Sequence, residues 1–179
     1  QDQRFVQTYF TSVPDRLIYT TFDWGVRDSD GYYFILGRTD DVINVAGHRL
    51  GTREIEEAVA SHPSVAEVAV VGVADQLKGQ APVAFAVIRD ASQTATPEMA
   101  AALEKEILGV VDSLLGAIGR PARVNFVKQL PKTRSGKVLR RSIQAIAESR
   151  DPGDLTSLDD PAGIEQIRAA VAHSSGRGA

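Results

Sequence analysis

Cysteine is absent from this 179-residue chain, and methionine and tryptophan occur once each. Without cysteine there is no disulfide framework and no thiol nucleophile, so any acyl intermediate has to be held by other chemistry. Long apolar runs are missing too. The longest nearly apolar stretch, Val65 to Ala74, is interrupted by Glu67 and falls far short of the ~20 residues that span a bilayer. No signal-peptide pattern opens the chain. These absences point to a cytoplasmic protein with no membrane partner. Nor is there a basic excess: 20 Lys and Arg stand against 23 Asp and Glu, a formal net charge of -3, which argues against a nucleic-acid partner. What is present is 43% hydrophobic residues in a chain of this length, enough for the core of one ordinary domain with an appended piece. The chain opens on Gln1 and its first forty positions carry no self-sufficient pattern, so the expectation is a fragment of a longer protein.

Positive charge is concentrated locally. Between Gly119 and Arg141 there are eight Lys or Arg and no Asp or Glu. Lys137 closes the run Leu130-Pro131-Lys132-Thr133-Arg134-Ser135-Gly136-Lys137 and falls at the start of an expected helix. A cation is poorly placed there unless a phosphate or carboxylate visits it. Alone, the segment reads equally as a solvated cationic face. Gly136 lets the backbone turn tightly and approach a ligand, and Pro131 stiffens the approach, which favours a positioned ammonium.

Periodicity predicts the order ββαββαβα. Arg16–Phe22 and Tyr32–Leu36 read as strands around the turn Asp28-Ser29-Asp30-Gly31, and Val42–Val45 with His48–Leu50 as a second hairpin around Ala46-Gly47. Thr52 is expected to cap a helix that ends at His62-Pro63. Val65–Val73 and Pro82–Ile88 read as buried strands. Thr96-Pro97-Glu98 opens a helix reaching about Gly116, with Met99, Leu103, Ile107, Val110 and Leu114 on one face. Val124–Val127 is a third strand. In the helix after Lys137, Leu139, Ile143 and Ile146 face inward and leave Arg140 and Arg141 outward. Arg150–Pro161 reads as a linker, Ala162–Ala172 as a docking helix, and Ser174–Ala179 as a frayed tail. The expected fold is α+β: a small domain with a three-stranded sheet flanked by helices, plus a short β-hairpin, preceded by a β-rich remnant of another domain. The corresponding boundaries are 1–38, 39–149 and 150–179.

Three motifs occur in fixed order: Tyr19-Thr20-Thr21-Phe22-Asp23, then the long run from Gly37-Arg38-Thr39-Asp40 through Ala46-Gly47-His48-Arg49 to Glu56, then Pro131 to Lys137. In this order they resemble the C-terminal end of the AMP-forming acyl-CoA synthetases, members of the adenylate-forming superfamily. The resemblance covers about Arg16 to Ala172. Gly47-His48-Arg49-Leu50-Gly51-Thr52 looks like the acetyl- and propionyl-CoA synthetase branch, and Arg150-Asp151-Pro152-Gly153-Asp154-Leu155 looks most like its propionyl-CoA members.

The resemblance implies a two-step ligase in which a carboxylate attacks MgATP to give acyl-AMP, and coenzyme A then takes the acyl group. It implies that Asp23 and Arg38 bind the nucleotide ribose, roles that suit an acceptor-only carboxylate and a rigid multi-donor fork. It makes Lys137 the adenylation lysine and Asp40 the hinge between two domain orientations. Ala46 and Gly47 would line the pantetheine tunnel, with Arg49 on the AMP phosphate and His48 structural. His62 reads as a plain helix-stop histidine, and a cation held by His62 and the carbonyls of Ala60 and Val65 is the competing candidate that the resemblance supplies. Family members carry an arginine for the CoA nucleotide where Asp112 stands here. Reversible acylation of Lys137 is also implied, with a protein acetyltransferase and a deacetylase as partners. The acyl pocket and the phosphate loop would lie in a missing N-terminal domain, so a non-catalytic binding or regulatory module is the competing reading for the isolated chain.

Overall fold

The computed structural model describes residues 2–11, 13–39 and 41–175. It divides into two compact units, Gln1–Asp41 and Val42–Ala179.

The first unit holds helix α1 (Asp2–Tyr9) and the antiparallel strands β1 (Asp23–Arg27) and β2 (Tyr33–Arg38). The expected strand at 16–22 is displaced to 23–27. The turn decides this: the Asp28 carboxylate accepts from Asp30 N–H at 3.0 Å and Tyr32 N–H at 2.8 Å, and Gly31 takes φ +93°. A hairpin partner has to abut such a turn, and Phe22 at φ +64° breaks the chain direction before it. Helix α1 was not expected. Its Phe5 and Tyr9 join Phe10, Tyr19 and Phe22 in a ring cluster with centroids 5.1 to 5.8 Å apart. Leu17, Tyr32, Tyr33, Phe34 and Ile35 remain exposed.

The second unit begins with the hairpin β3 (Val42–Val45) and β4 (His48–Gly51), followed by α2 (Thr52–Ala60), β5 (Val65–Asp75) and β6 (Gly79–Ile88). Helix α3 (Pro97–Leu115) crosses to β7 (Arg123–Val127), which pairs parallel with β6; α4 (Arg140–Ala147) and α5 (Ala162–Ser175) complete the chain. Strands β5, β6 and β7 form the central sheet, and β3 joins β6 only at Val45 opposite Gly79. The α+β expectation of three strands, flanking helices and a hairpin holds.

Alternation along the strands separates two cores, as a two-sided sheet requires. Val70, Ala84 and Ala86 face α2 and α3 with Ile55, Val59, Leu103 and Ile107. Ala69, Val71, Val83 and Phe85 face α4 and α5 with Ile143, Ile146, Ile164 and Ile167. Each fully buried side chain of this size contributes about 1.5–3 kcal/mol.

Helix α3 follows its signals at both ends: Thr96 Oγ1 accepts from Met99 N–H, Pro97 opens the first turn, and Gly116 ends it at φ +72°. Its inward face is Leu103, Ile107 and Val111, whereas Met99 and Leu114 are exposed, so the expected stripe is rotated by about one residue. Helix α2 departs from its expected cap. Gly51 occupies the N-cap without a side-chain bond, and Thr52, 6% exposed, is its first helical residue. Residues 150–161 lack regular structure yet are tied down. Ser142 Oγ donates to Pro152 O at 3.0 Å, Thr133 bridges Leu158, and Asp159 N–H donates to Lys132 O at 2.9 Å.

Candidate functional site

Two groups of candidate residues lie in the second unit and one lies in the first. In the first unit, Asp23 and Arg38 are cross-strand partners at the open end of the β1–β2 hairpin. Their side chains approach to 3.6 Å and stay about two-fifths exposed, at 38% and 39%. An ion pair this open is worth only about 0.2–1 kcal/mol. Arg38 also donates to Thr21 O at 3.3 Å, and its guanidinium carbon lies 6.0 Å from the centre of the Phe22 ring. Phe22 O accepts from both Thr39 N–H at 2.6 Å and Thr39 Oγ1 at 3.1 Å, which latches the hairpin end. The left-handed backbone of Phe22 costs ~1–2 kcal/mol for a residue with a Cβ. Asp40, the expected hinge, lies outside the described residues.

In the second unit, Ala46 and Gly47 form the two-residue tip between β3 and β4 with φ of +48° and +84°. Two successive positive φ values define the type I′ turn that fits the strand twist. The tip is anchored, for Ala46 N–H donates to Lys78 O at 2.9 Å in the β5–β6 turn. Asp75 stiffens that turn by accepting from Leu77 N–H at 2.9 Å and Lys78 N–H at 2.8 Å. The Lys78 and Leu77 amides hold the Asp75 carboxyl below its usual range. No atom would lie within 4 Å of a Cβ built on Gly47. Arg49 and His48 are exposed on β4, with Arg49 opposite Asn44.

Lys137 is three residues short of α4, so the expected helix start is corrected to Arg140. It sits instead in a closed loop. Thr133 N–H donates to Lys137 O at 2.8 Å, Gly136 N–H to Thr133 O at 2.8 Å, and Lys137 N–H to Thr133 Oγ1 at 3.1 Å. Gly136 takes φ +82°, the left-handed conformation that glycine adopts without strain. The loop is clasped at its base by the bridge between Lys132 and Val138, and from outside by the bridge between Thr133 and Leu158. Lys137 is exposed, and among the described residues no carboxylate is paired with it. The arrangement is a rigid backbone carrying an open ammonium.

The two groups do not converge. The Lys137 loop is anchored at Glu67, through Lys132 Nζ at 2.7 Å, while the Gly47 tip is anchored at Lys78. Residues 67 and 75 of β5 are eight positions apart, roughly 26 Å of extended chain. The Lys137 loop and the Gly47 tip are thus anchored toward opposite ends of β5.

The remaining candidates are polar residues with local partners. Asp112 is paired with Arg120 at 2.9 Å, and its other oxygen is buried without a partner. A carboxylate there does not serve a phosphate. His62 is 8% exposed; its Nδ1 accepts from Ser64 N–H at 3.3 Å, and its Nε2 faces the Glu106 carboxylate at 3.8 Å. Ala60 and Val65 flank it at the end of α2. Among the described residues, no group of three His, Cys, Asp or Glu could hold a metal ion. Arg140, expected to turn outward, is instead bound to Glu56, a partner that no local pattern announces.

Residues 54–137 match the AMP-binding enzyme C-terminal domain, and the chain carries a domain of that family. It is 65% identical over 170 residues to the propionate–CoA ligase of Escherichia coli strain K12, an alignment covering 95% of this chain and 27% of that protein. It is 45% identical over 168 residues to the acetyl-coenzyme A synthetase of Pyrobaculum arsenaticum, covering 94% of this chain and 24% of that protein. A solved anthranilate CoA ligase, AuaEII in complex with anthranoyl-AMP, superposes with a TM-score of 0.65 and 30% identity, covering 83% of this chain and 27% of that one. The chain thus spans about a quarter of the length of the curated relatives it matches.

Proposed function

We propose that this chain is the C-terminal part of an AMP-forming short-chain acyl-CoA synthetase that activates propionate with ATP and transfers the acyl group to coenzyme A. The observation that carries this reading is the separation of two chemistries along β5, Lys137 near its start and the Ala46-Gly47 tip beyond its end. A ligase with two half-reactions can use both by presenting each end of the unit in turn, with Asp40 as the hinge. The higher identity to the propionate–CoA ligase than to the acetyl-coenzyme A synthetase favours propionate over acetate.

In the first half-reaction Lys137 places its ammonium where negative charge accumulates on the α-phosphate, an effect that commonly amounts to ~3 kcal/mol. Asp23 accepts from the ribose hydroxyls and Arg38 donates to the same sugar. In the second, the open face of Gly47 admits the pantetheine chain, Ala46 lines it, and Arg49 meets the AMP phosphate. Magnesium would accompany ATP and offset charge on its phosphates. The exposed Tyr32, Tyr33, Phe34 and Ile35 suit packing against the rest of a longer protein. The open ammonium of Lys137 is also the target for acylation by a protein acetyltransferase, reversed by a deacetylase, since acylation removes the charge.

Lys137→Ala in the full-length ligase tests the assignment. It should abolish acid-dependent pyrophosphate release while thioester formation from supplied propionyl-AMP persists. Equal loss in both half-reactions would reject it.

A further inference from the structure

Strand β5 lies at the edge of the sheet, and α4 covers that edge with a polar ladder. Val70 N–H donates to Glu56 Oε1 at 2.9 Å, and the same carboxylate takes both arms of the Arg140 fork, Nε at 3.0 Å and the terminal nitrogen at 2.7 Å. Two strand residues on, Gly72 O accepts from Gln144 Nε2 at 2.8 Å. After two more, Ala74 N–H donates to Glu148 Oε1 at 3.1 Å. Gln144 of α4 and its C-cap residue Glu148 thus meet strand positions 72 and 74, and Arg140 reaches position 70 through Glu56 of α2. The two repeats match: four helical residues rise ~6.0 Å and two strand residues ~6.6 Å. A slip of α4 by one residue would turn Gln144 and Glu148 off the edge and Arg140 off Glu56.

Arg140 is out of place as a helix residue. It occupies the first turn of α4, where the dipole disfavours a cation, and Leu139 before it offers no side-chain cap. Glu56 is out of place as a helix surface acid, for it is 9% exposed between α2 and β5. Each is explained by the other, because a buried carboxylate needs a charged partner and filled hydrogen bonds. Arg140 follows the Lys137 loop by three residues, and Leu139 N–H is bonded to Pro131 O at 3.0 Å. On the other arm of the loop, Lys132 is held by Glu67 of the same strand.

We infer that the α4–β5 ladder, headed by the Glu56–Arg140 pair, fixes the position of the Lys137 loop on the unit, and that Glu56 and Arg140 are positioning residues for the acyl-adenylate step alone. This rests on the proposed ligase function. The Gly47 tip is anchored beyond β5, on Lys78, past the last rung at Ala74, and none of the ladder's hydrogen bonds reaches it. The ladder should therefore govern one half-reaction and not the other.

The test uses the full-length ligase with Glu56→Gln, Arg140→Lys and, in parallel, Lys137→Ala. Both ladder variants keep side-chain volume, and Arg140→Lys keeps the charge but loses the fork. Displacement of a reacting group by an ångström costs up to ~100-fold, so acyl-AMP formation should fall about 10- to 100-fold in each ladder variant. Transfer of supplied propionyl-AMP to coenzyme A should change by less than about threefold, as expected for a mutation confined to one transition state. A role in stability alone would lower both half-reactions together, or neither, and would overturn the inference. If Lys137→Ala itself leaves acyl-AMP formation intact, the function assigned to the lysine fails first. If it abolishes that step while both ladder variants retain it, only the ladder fails. Should Glu56→Gln or Arg140→Lys not fold, Gln144→Ala deletes the middle rung without stranding a charge. Amide exchange at Lys137 and Val138 should then quicken about tenfold, and unchanged exchange would refute the inference.

Discussion

Substituting Gly47 separates what the backbone requires of this residue from what a ligand requires. Its φ of +84° is in the left-handed region, where a residue with a Cβ is disfavoured by ~1–2 kcal/mol. Alanine also narrows the unfolded ensemble, which returns ~0.4–1 kcal/mol. The net loss for Gly47→Ala should be about 1 kcal/mol, seen as a fall of ~3 °C in Tm. No atom outside the adjacent residues lies within 4 Å of the Cβ position, so Gly47→Leu should cost the same as Gly47→Ala to within about 0.5 kcal/mol. The two variants should part only in the ligase. Adenylation survives in both, while thioester formation is blocked by leucine and merely slowed by alanine. Thermal denaturation of the two variants, followed by the two half-reaction assays, checks each link. A leucine variant far less stable than the alanine variant would refute the open-face geometry, and equal CoA transfer by the two would refute the tunnel.

Two further perturbations address the anchors of the candidate site. Phe22, at φ +64°, should tolerate glycine better than alanine, since glycine relieves the strain whereas alanine keeps it and loses the ring against Tyr9 and Arg38; urea denaturation in which Phe22→Ala proves the more stable variant would contradict the left-handed assignment. The Asp75 carboxyl is held below its ordinary 3.8 by the Lys78 and Leu77 amides, so the stability it contributes is complete above that value and is lost as pH falls through the lower folded value. Amide exchange at Ala46 should accelerate over that acid range, and Asp75→Asn should show the faster exchange already at neutral pH; an acid-independent Ala46 amide would disprove the coupling of turn and tip.

The parts of the fold legible in the sequence are those whose causes are local. Thr96-Pro97 and Gly116 mark the ends of α3 because a cap, a fixed φ and a left-handed stop act within one turn of chain. The Ala46-Gly47 tip was legible for the same reason, and so was the Asp28–Gly31 turn. Misreadings arose where a distant partner decides. Arg16–Phe22 has strand composition, yet the turn recruits 23–27 and leaves Phe22 outside the ladder. Arg150–Pro161 has linker composition, yet its backbone is bonded to Lys132, Arg134 and Ser142.

The same division runs through the candidate site. Thr133, Ser135 and Gly136 shape the Lys137 loop by contacts within five residues, so the motif announces its own turn. Where that loop stands on the domain is set by a pair 84 positions apart in sequence, Glu56 and Arg140, and by Lys132 reaching Glu67 across 65. Neither pair leaves a periodic trace. Glu56 reads as an acid in an early helical turn, and Arg140 as one more member of a basic run. Only the covered edge of β5 reveals why both are needed: an edge strand presents backbone groups that must be filled, and filling Val70 from Glu56 of α2, with Gly72 and Ala74 from α4 and its C-cap, sets the register of α4 once Arg140 is tied to Glu56. Covering the edge and placing the lysine are therefore one structural event, and a sequence motif that records the loop records nothing of the strand that positions it.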